Sequence, residues 1–275
     1  MGLLIVGRRD AYAYHTGSQW IAKREPLRLG DFKTHLFGNR CLGTYLLDPD
    51  SNVRTMVFDI DLLSANGPSD ARRGAPYFNI EDPEDHENAT RFLADSLPEL
   101  NLEIKRGDVE AALHDPDHPA FRWAGSLILS SVWQLMREVY NVLGLTSMPI
   151  ITGGGAHVFV PLGTLMPAAE VRAMAHSVMD RVGTFTRRSE SFYANSEDDP
   201  SVEIEIFPKQ DTLTDPESLG NLIRLPFGMH ETGMRTYALD PRLPVLPSWK
   251  LPRSSSIDAL RRQAALLDLE WKMSA

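Results

Sequence analysis

One short apolar segment constrains the fold more than any other, because it carries two carboxylates that are separated by a single residue. Residues 56–62 read Met-Val-Phe-Asp-Ile-Asp-Leu. Successive side chains of a β-strand point to opposite faces, so Asp59 and Asp61 share one face while Phe58 and Ile60 share the other. The segment therefore predicts a strand over residues 55–62 with one apolar face and one acidic face.

The two aspartates of this strand would lie about 7 Å apart, at about 3.3 Å per residue. At that separation they repel each other unless a cation lies between them. Hard divalent cations prefer carboxylate oxygens together with substrate phosphates, and pairs of such ions support phosphoryl transfer. Asp59 and Asp61 thus indicate a Mg²⁺ or Mn²⁺ site, and the alternative is an edge strand with a solvated acidic face.

A glycine-rich turn between two β-rich runs is the second chemical signal. Residues 150–160 read Ile-Ile-Thr-Gly-Gly-Gly-Ala-His-Val-Phe-Val. Consecutive glycines let backbone N–H groups approach an anion closely, and His157 on the outgoing strand is suited to donate to a phosphate. The Lys-Ser/Thr ending of a P-loop is absent. The turn is interpreted either as a phosphate-binding turn or as a tight hairpin with a packed histidine.

Residues 202–207 predict another strand with an acidic face. Glu203 and Glu205 alternate with apolar residues, so either glutamate is a candidate third metal ligand. Lys209 follows just past the strand end, where it is suited to reach a triphosphate. Arg224 lies among apolar residues in the segment 220–228, and it is either a phosphate clamp or a side chain that extends its charge to the surface.

The order of the predicted elements indicates the fold class. Strand candidates at 44–47 and 55–62 flank a turn cluster at 48–52, which suggests a hairpin. The other expected elements are a helix over 119–143, a strand-turn-strand over 149–161, a helix over 168–182 and a strand over 202–207. This order predicts an α+β fold with helices on one face of the sheet, in the manner of a split βαβ palm.

The net charge of −9 comes from one stretch of the chain. Residues 81–120 hold twelve acidic and three basic residues, and the remainder is neutral overall with basic pairs such as Arg187-Arg188. A neutral body with basic patches can hold a polyanion locally. We expect a catalytic domain over residues 1–253 and a C-terminal helix over 254–275. The acidic segment at about 64–118 is interpreted as a helical insertion, and the alternative interpretation is a solvated acidic surface.

Composition excludes several other classes of protein. The single cysteine, Cys41, excludes a disulfide framework and any zinc site built from several cysteines, and it is expected to be a buried core residue. No stretch approaches the roughly 20 apolar residues of a membrane span, and the N-terminal apolar run is too short for a signal peptide. We therefore expect a cytoplasmic protein without a membrane partner.

Taken in this order, the four segments resemble the archaeo-eukaryotic primase superfamily, in particular the primase-polymerase domains of mobile-element and conflict-system proteins. That family has a D-x-D strand, a small-residue turn that ends in x-H, and a third acidic strand. The matching segments are Asp59/Asp61, residues 152–157 and Glu205, and residues 7–10, 35–38, 205–210 and 220–230 are also similar. Thr152 stands where the family usually has serine, which keeps the hydroxyl. The likeness covers most of residues 7–235 outside the acidic segment.

The resemblance implies a catalytic core with an RRM-like palm joined to an N-terminal αβ module. It implies Asp59, Asp61 and Glu205 as catalytic ligands of two Mg²⁺ or Mn²⁺ ions. The nucleotide-binding residues that it implies are Thr152, Gly153, Gly155, His157, Lys209, Arg224 and His230. Its implied partners are nucleoside triphosphates, a single-stranded DNA template with a primer, and a helicase that would be a separate chain or a missing domain.

The sequence thus leads to the hypothesis of a DNA-directed primase-polymerase. Such an enzyme synthesises or extends primers by two-metal nucleotidyl transfer. Two alternatives stay open at this point. One is a non-catalytic single-stranded-DNA-binding or replication-initiation module on the same fold. The other is a metal-dependent nuclease that uses a similar carboxylate site.

Overall fold

The computed structural model describes residues 6–62, 121–152, 155–195, 202–215, 217–229 and 236–238. Its helices are α1 (Leu29–Leu36), α2 (Phe121–Leu143) and α3 (Ala168–Val182). Its strands are β1 (Tyr12–His15), β2 (Trp20–Lys23), β3 (Cys41–Tyr45), β4 (Asn52–Leu62), β5 (Met148–Ile151), β6 (Gly155–Pro167), β7 (Thr186–Arg187), β8 (Phe192–Ala194), β9 (Val202–Phe207), β10 (Leu222–Arg224) and β11 (Tyr237–Ala238). The predicted acidic insertion at 64–118 and the predicted helix at 254–275 lie outside the described residues.

The strands form two antiparallel sheets. The smaller has the order β10-β3-β1-β2, and the larger has the order β11-β5-β6-β4-β9-β8-β7. Helices α2 and α3 pack against each other and against β4 and β6, so they cover the same face of the larger sheet. The α+β class and the placement of the helices on one face are therefore confirmed. None of the helices in the described ranges is long and apolar enough to cross a membrane.

The alternation seen in the sequence explains which face β4 and β9 turn toward the helices. Phe58 and Ile60 of β4 and Ile204 and Ile206 of β9 are fully buried, and all belong to the main hydrophobic core beneath the helices. Burying several large apolar side chains on one face fixes which face each strand turns inward, because a one-residue slip would reverse it. The acidic side chains of both strands must then point to the opposite face.

The predicted hairpin of residues 44–47 with residues 55–62 is wrong. Strand β3 pairs with β1 and β10, whereas β4 pairs with β6 and β9, so the two segments belong to different sheets. The turn cluster between them does form: the carboxylate of Asp48 accepts hydrogen bonds from the backbone N–H groups of Asp50 and Asn52. It redirects the chain from one sheet to the other, because both edges of each strand are taken by other partners.

Most other predicted elements agree closely with the structure. The helices predicted at 119–143 and 168–182 correspond to α2 and α3, and the strand at 202–207 corresponds to β9. The strand-turn-strand at 149–161 corresponds to β5 and β6, although β6 continues to Pro167. Cys41 is buried, as expected. The sequence interpretation overlooked α1, whose two turns carry exposed apolar residues and give little amphipathic pattern.

One buried histidine joins α1 to the smaller sheet. The backbone N–H of Leu42 donates to Nδ1 of His35 at 3.0 Å, and Nε2 of His35 lies 3.0 Å from the carbonyl oxygen of Pro226. Since Nδ1 accepts, Nε2 carries the proton and donates. An added Cβ on Gly228 would lie 2.0 Å from the His35 ring, so this glycine is needed for the close contact.

Replacing His35 with alanine is expected to destabilise the fold by about 2–4 kcal/mol. The substitution leaves the buried N–H of Leu42 without its acceptor and opens a cavity. Chemical denaturation with parallel thermal melts measures the loss. His15→Ala is the control: that ring is half-exposed, and its loss should cost about 1 kcal/mol or less. Equal losses for the two variants would contradict this role for His35.

Candidate active site

Two rows of site residues cross the face of the larger sheet that lies away from α2 and α3. Strand pairing places directly opposed residues on the same face, with Cα atoms about 4.5–5.5 Å apart. The first row contains His157 of β6, Asp59 of β4 and Glu205 of β9. The second row contains Gly155 of β6, Asp61 of β4 and Glu203 of β9. Four carboxylates on two neighbouring strands therefore converge on one small area.

The first row is held by a contact between its histidine and its aspartate. Nε2 of His157 lies 3.1 Å from Oδ1 of Asp59, and the side chains are 9% and 19% exposed. The imidazole also packs edge-on against Phe159, with ring centroids 5.7 Å apart. His157 is thus fixed beside the first aspartate of the acidic face.

A lysine ammonium neutralises the glutamate of the same row. Nζ of Lys209 forms an ion pair with Oε1 of Glu205, whose side chain is 12% exposed. The ammonium also lies 4.6 Å from the ring centroid of Phe207 and 5.5 Å from that of Phe192. Both contacts are cation–π interactions. Lys209 therefore folds back over the acidic face, beside the carboxylates rather than out in solvent.

The crowding of carboxylates perturbs their protonation. The pKa of Asp61 is raised well above its ordinary value by loss of hydration and by repulsion from the charges of Asp59, Glu203 and Glu205. Asp61 nevertheless keeps solvent-accessible surface. A cation bound among these carboxylates would relieve the repulsion between their charges. Loss of hydration also raises the pKa values of Glu203 and Glu205, although the Lys209 ammonium opposes both shifts.

Asp61→Asn is expected to raise the melting temperature of the metal-free protein at neutral pH. The amide removes a charge that the folded state repels. A carboxyl whose pKa is raised in the folded state binds more protons when folded. Its contribution to the free energy of unfolding therefore falls as the pH rises from its ordinary pKa of 3.8 toward the raised folded pKa. The stabilisation by Asp61→Asn should therefore be largest at neutral pH and shrink on acidification, as thermal melts in a chelator across this range would measure.

The matched control for this effect is Asp50→Asn, which removes an exposed carboxylate from the turn before β4. It should leave the melting temperature nearly unchanged at every pH. An Asp61→Asn variant that is less stable than wild type at neutral pH, with chelator present, would show that the carboxylate is held by favourable contacts and would contradict the repulsion.

Arg224 connects the smaller sheet to this site. It ends β10, and its guanidinium lies 5.7 Å from the ring centroid of Trp20 on β2. Its positive charge also lowers the pKa of Asp61, against the larger effects that raise it. The arginine is therefore near enough to the acidic face to act on the charge of Asp61. One cation of the smaller sheet thus adjoins the carboxylates of the larger one.

The glycine turn continues the second row across the sheet. The backbone N–H of Thr152 donates to the carbonyl oxygen of Gly155 at 2.9 Å, which places the threonine beside the end of that row. A Cβ on Gly155 would lie 1.8 Å from the carbonyl oxygen of Ile60, so the glycine has a packing reason independent of any ligand. Gly153 and His230 lie outside the described residues.

Eight of the predicted site residues are thus brought to one region: Asp59, Asp61, Glu205, His157, Lys209, Arg224, Thr152 and Gly155. Sequence reasoning assigned no site role to Phe192, which lies directly opposite Glu205 on β8. It also missed Trp20. Both are aromatic residues on short strands, and only the strand pairing reveals which face they occupy.

The donor set of the acidic face fits a divalent cation. Among the described residues, no three His, Cys, Asp or Glu side chains are already oriented around a common point for an ion. Asp59 instead contacts His157, and Glu205 contacts Lys209. Carboxylate oxygens are the ligands that Mg²⁺ prefers, and Asp59, Asp61 and Glu205 supply them on one face of neighbouring strands.

No protein-family model and no curated protein matches the sequence.

Proposed function

We propose that this protein is a divalent-metal-dependent nucleotidyltransferase of the primase-polymerase kind, which adds nucleotides to a DNA strand under the direction of a template. The observation that supports this most is the pair of rows on β4 and β9. Four carboxylates converge there beside a histidine and a lysine, on the face of the larger sheet that lies away from α2 and α3. A purely structural surface gains nothing from charges that repel each other in this way.

Asp59, Asp61 and Glu205 would hold the Mg²⁺ or Mn²⁺ ions in this proposal. When bound, such ions lower the pKa of the attacking hydroxyl and neutralise charge on the leaving phosphate. Glu205 is preferred to Glu203 as the third ligand because it lies in one row with Asp59 and His157. Glu203, opposite Asp61, then contributes negative charge at the edge of the site.

Lys209 would have two roles, one without a bound nucleotide and one with it. Without ligand, its ammonium neutralises Glu205 and limits the repulsion among the carboxylates. With a nucleotide present, the same ammonium would turn toward the triphosphate, because its contacts with the rings of Phe192 and Phe207 are cation–π contacts rather than directional hydrogen bonds. A strongly hydrated point charge on a flexible stem suits this exchange better than a guanidinium.

The remaining cationic and polar groups would bind and orient the nucleotide. His157 beside Asp59, Arg224 near Asp61 and Thr152 at the end of the second row surround the carboxylates. They are suited to donate hydrogen bonds to phosphate oxygens. The proposed reaction is attack of a strand's 3′-hydroxyl, or that of an initiating nucleotide, on the α-phosphate, with release of pyrophosphate. Positioning and charge neutralisation account for most of the catalysis in such transfers.

A template assay tests this function. Purified protein is incubated with a single-stranded DNA template, with and without an annealed labelled primer, in Mg²⁺ or Mn²⁺ and either dNTPs or NTPs. Primers that lengthen, or new products on the unprimed template, are the expected result. A parallel reaction without nucleotides detects a nuclease by shortened DNA. Strand binding without any product would favour the non-catalytic binding module.

A further inference from the structure

We propose that Arg188, together with Phe192, forms the surface on which a nucleic-acid strand lies as it enters the acidic site. This inference rests on the proposed function and names where the strand's phosphodiester backbone is held. The ligand chemistry is a phosphodiester chain, as distinct from the triphosphate of a free nucleotide.

Strand pairing puts Arg188 on the same face as the carboxylates. Phe192 of β8 is directly opposite Glu205 of β9. Arg188 follows β7 immediately, and its backbone N–H donates to the carbonyl oxygen of Phe192 at 2.7 Å. Arg188 is therefore opposite Phe192, and its side chain is on the same face of the sheet as those of Phe192 and Glu205. The first row of the site therefore continues past its glutamate to a half-buried aromatic ring and an exposed guanidinium.

The side chain of Arg188 is exposed on this face. Among the residues that the structure describes, the Arg188 guanidinium forms no ion pair or hydrogen bond. A guanidinium presents a planar fork of donors that matches the oxygens of a phosphate group.

The spacing suits a strand rather than a single nucleotide. Three strand intervals separate β4 from β7, about 14 Å at about 4.8 Å per interval. A few nucleotides cover that distance at about 3.4 Å of rise each. Lys209 lies between the two ends, above the rings of Phe192 and Phe207. A chain with a net charge of −9 needs such local cations to hold a polyanion.

The neighbouring residue Arg187 provides a matched control. It pairs opposite Tyr193, which is buried on the helix side of the sheet, and its charge lowers the pKa of His176 on α3. Its guanidinium donates to the carbonyl oxygens of Ser189 and Glu190. Arg187 and Arg188 are thus adjacent, exposed and equally charged, but they point to opposite faces.

The test compares Arg188→Gln and Arg187→Gln by fluorescence anisotropy with a labelled single-stranded oligonucleotide, over a series of salt concentrations and without metal or nucleotide. Arg188→Gln should weaken binding about three- to tenfold on every sequence and reduce the salt slope by about 0.7. Arg187→Gln should leave both unchanged. Circular dichroism and melting curves establish that both variants fold.

Three results would overturn the inference. The first is a strand affinity and a salt slope that are unchanged in Arg188→Gln. The second is a loss of strand affinity in Arg187→Gln equal to that in Arg188→Gln. The third is a raised KM for nucleotide in the primer-extension assay of Arg188→Gln, with unchanged strand affinity. The last result would assign Arg188 to the triphosphate. Because the binding assay contains no metal or nucleotide, a selective loss in Arg188→Gln supports the strand surface even if no nucleotide incorporation is found.

Discussion

Nucleotide incorporation is expected to disappear when Asp59 and Asp61 are both replaced with asparagine, a loss of at least about 1000-fold. Asparagine keeps the size of each side chain but removes the two charges that a divalent cation requires on β4. The fold should survive, because Asp61 is exposed, Asp59 is partly exposed, and the buried apolar residues between and before them are unchanged. Primer extension measures the activity, and melting curves measure the fold.

A charge-matched control separates the site from the overall charge. The double variant Asp50→Asn with Asp180→Asn also removes two negative charges, but from exposed positions in a turn and on α3. It should extend primers at the wild-type rate. Full incorporation by the Asp59 and Asp61 variant would refute the assignment of this site, whereas an equal loss in the control would trace the effect to net charge.

Gly155→Ala is expected to disturb the site through the backbone. Its Cβ would lie 1.8 Å from the carbonyl oxygen of Ile60 and 3.1 Å from Cα of Asp61, so β6 must move away from β4 at the position of the second row. Overpacking a well-filled region typically costs about 1–3 kcal/mol, and a clash with backbone leaves little room for relief. We expect lower stability together with a loss of incorporation of about 100-fold, since displacements of about 1 Å have effects of that size.

Gly30→Ala is the control for the loss of a glycine. Its Cβ meets no atom within 4 Å, and the position lies in α1. Alanine should be neutral there or stabilise the helix by up to about 1 kcal/mol. Wild-type stability and activity in Gly155→Ala would show that β6 tolerates the added methyl group, and would contradict the close approach of the two strands.

The local pattern of the sequence predicted which side chains share a face, but not which strands are neighbours. Alternation alone gave the acidic faces of β4 and β9, because period-2 patterning is a property of each strand by itself. The pairing of Asp59 with Glu205 joins residues far apart in the chain, and nothing local encodes that pairing. The order of the segments, compared with a family that uses such an order, suggested that they meet.

The wrong hairpin prediction has the same origin. The turn cluster at 48–52 was identified correctly, but a turn sets only the local direction of the chain, and the partners of β3 and β4 come from distant segments. The role of Phe192 and the face that Arg188 occupies were not predicted for a related reason. Strands β7 and β8 contain two and three residues, too few for an alternation to be recognised before the pairing is known.

The most direct test of the central proposal is primer extension with one nucleotide omitted at a time. A labelled primer is annealed to a template of known sequence and incubated with the wild-type protein, Mn²⁺ or Mg²⁺, and three of the four nucleotides. Products that stop one position before each template base whose complement is missing are the predicted result. Primers that never lengthen with either metal, or that lengthen without regard to the template, would contradict a template-directed polymerase built on the carboxylates of β4 and β9.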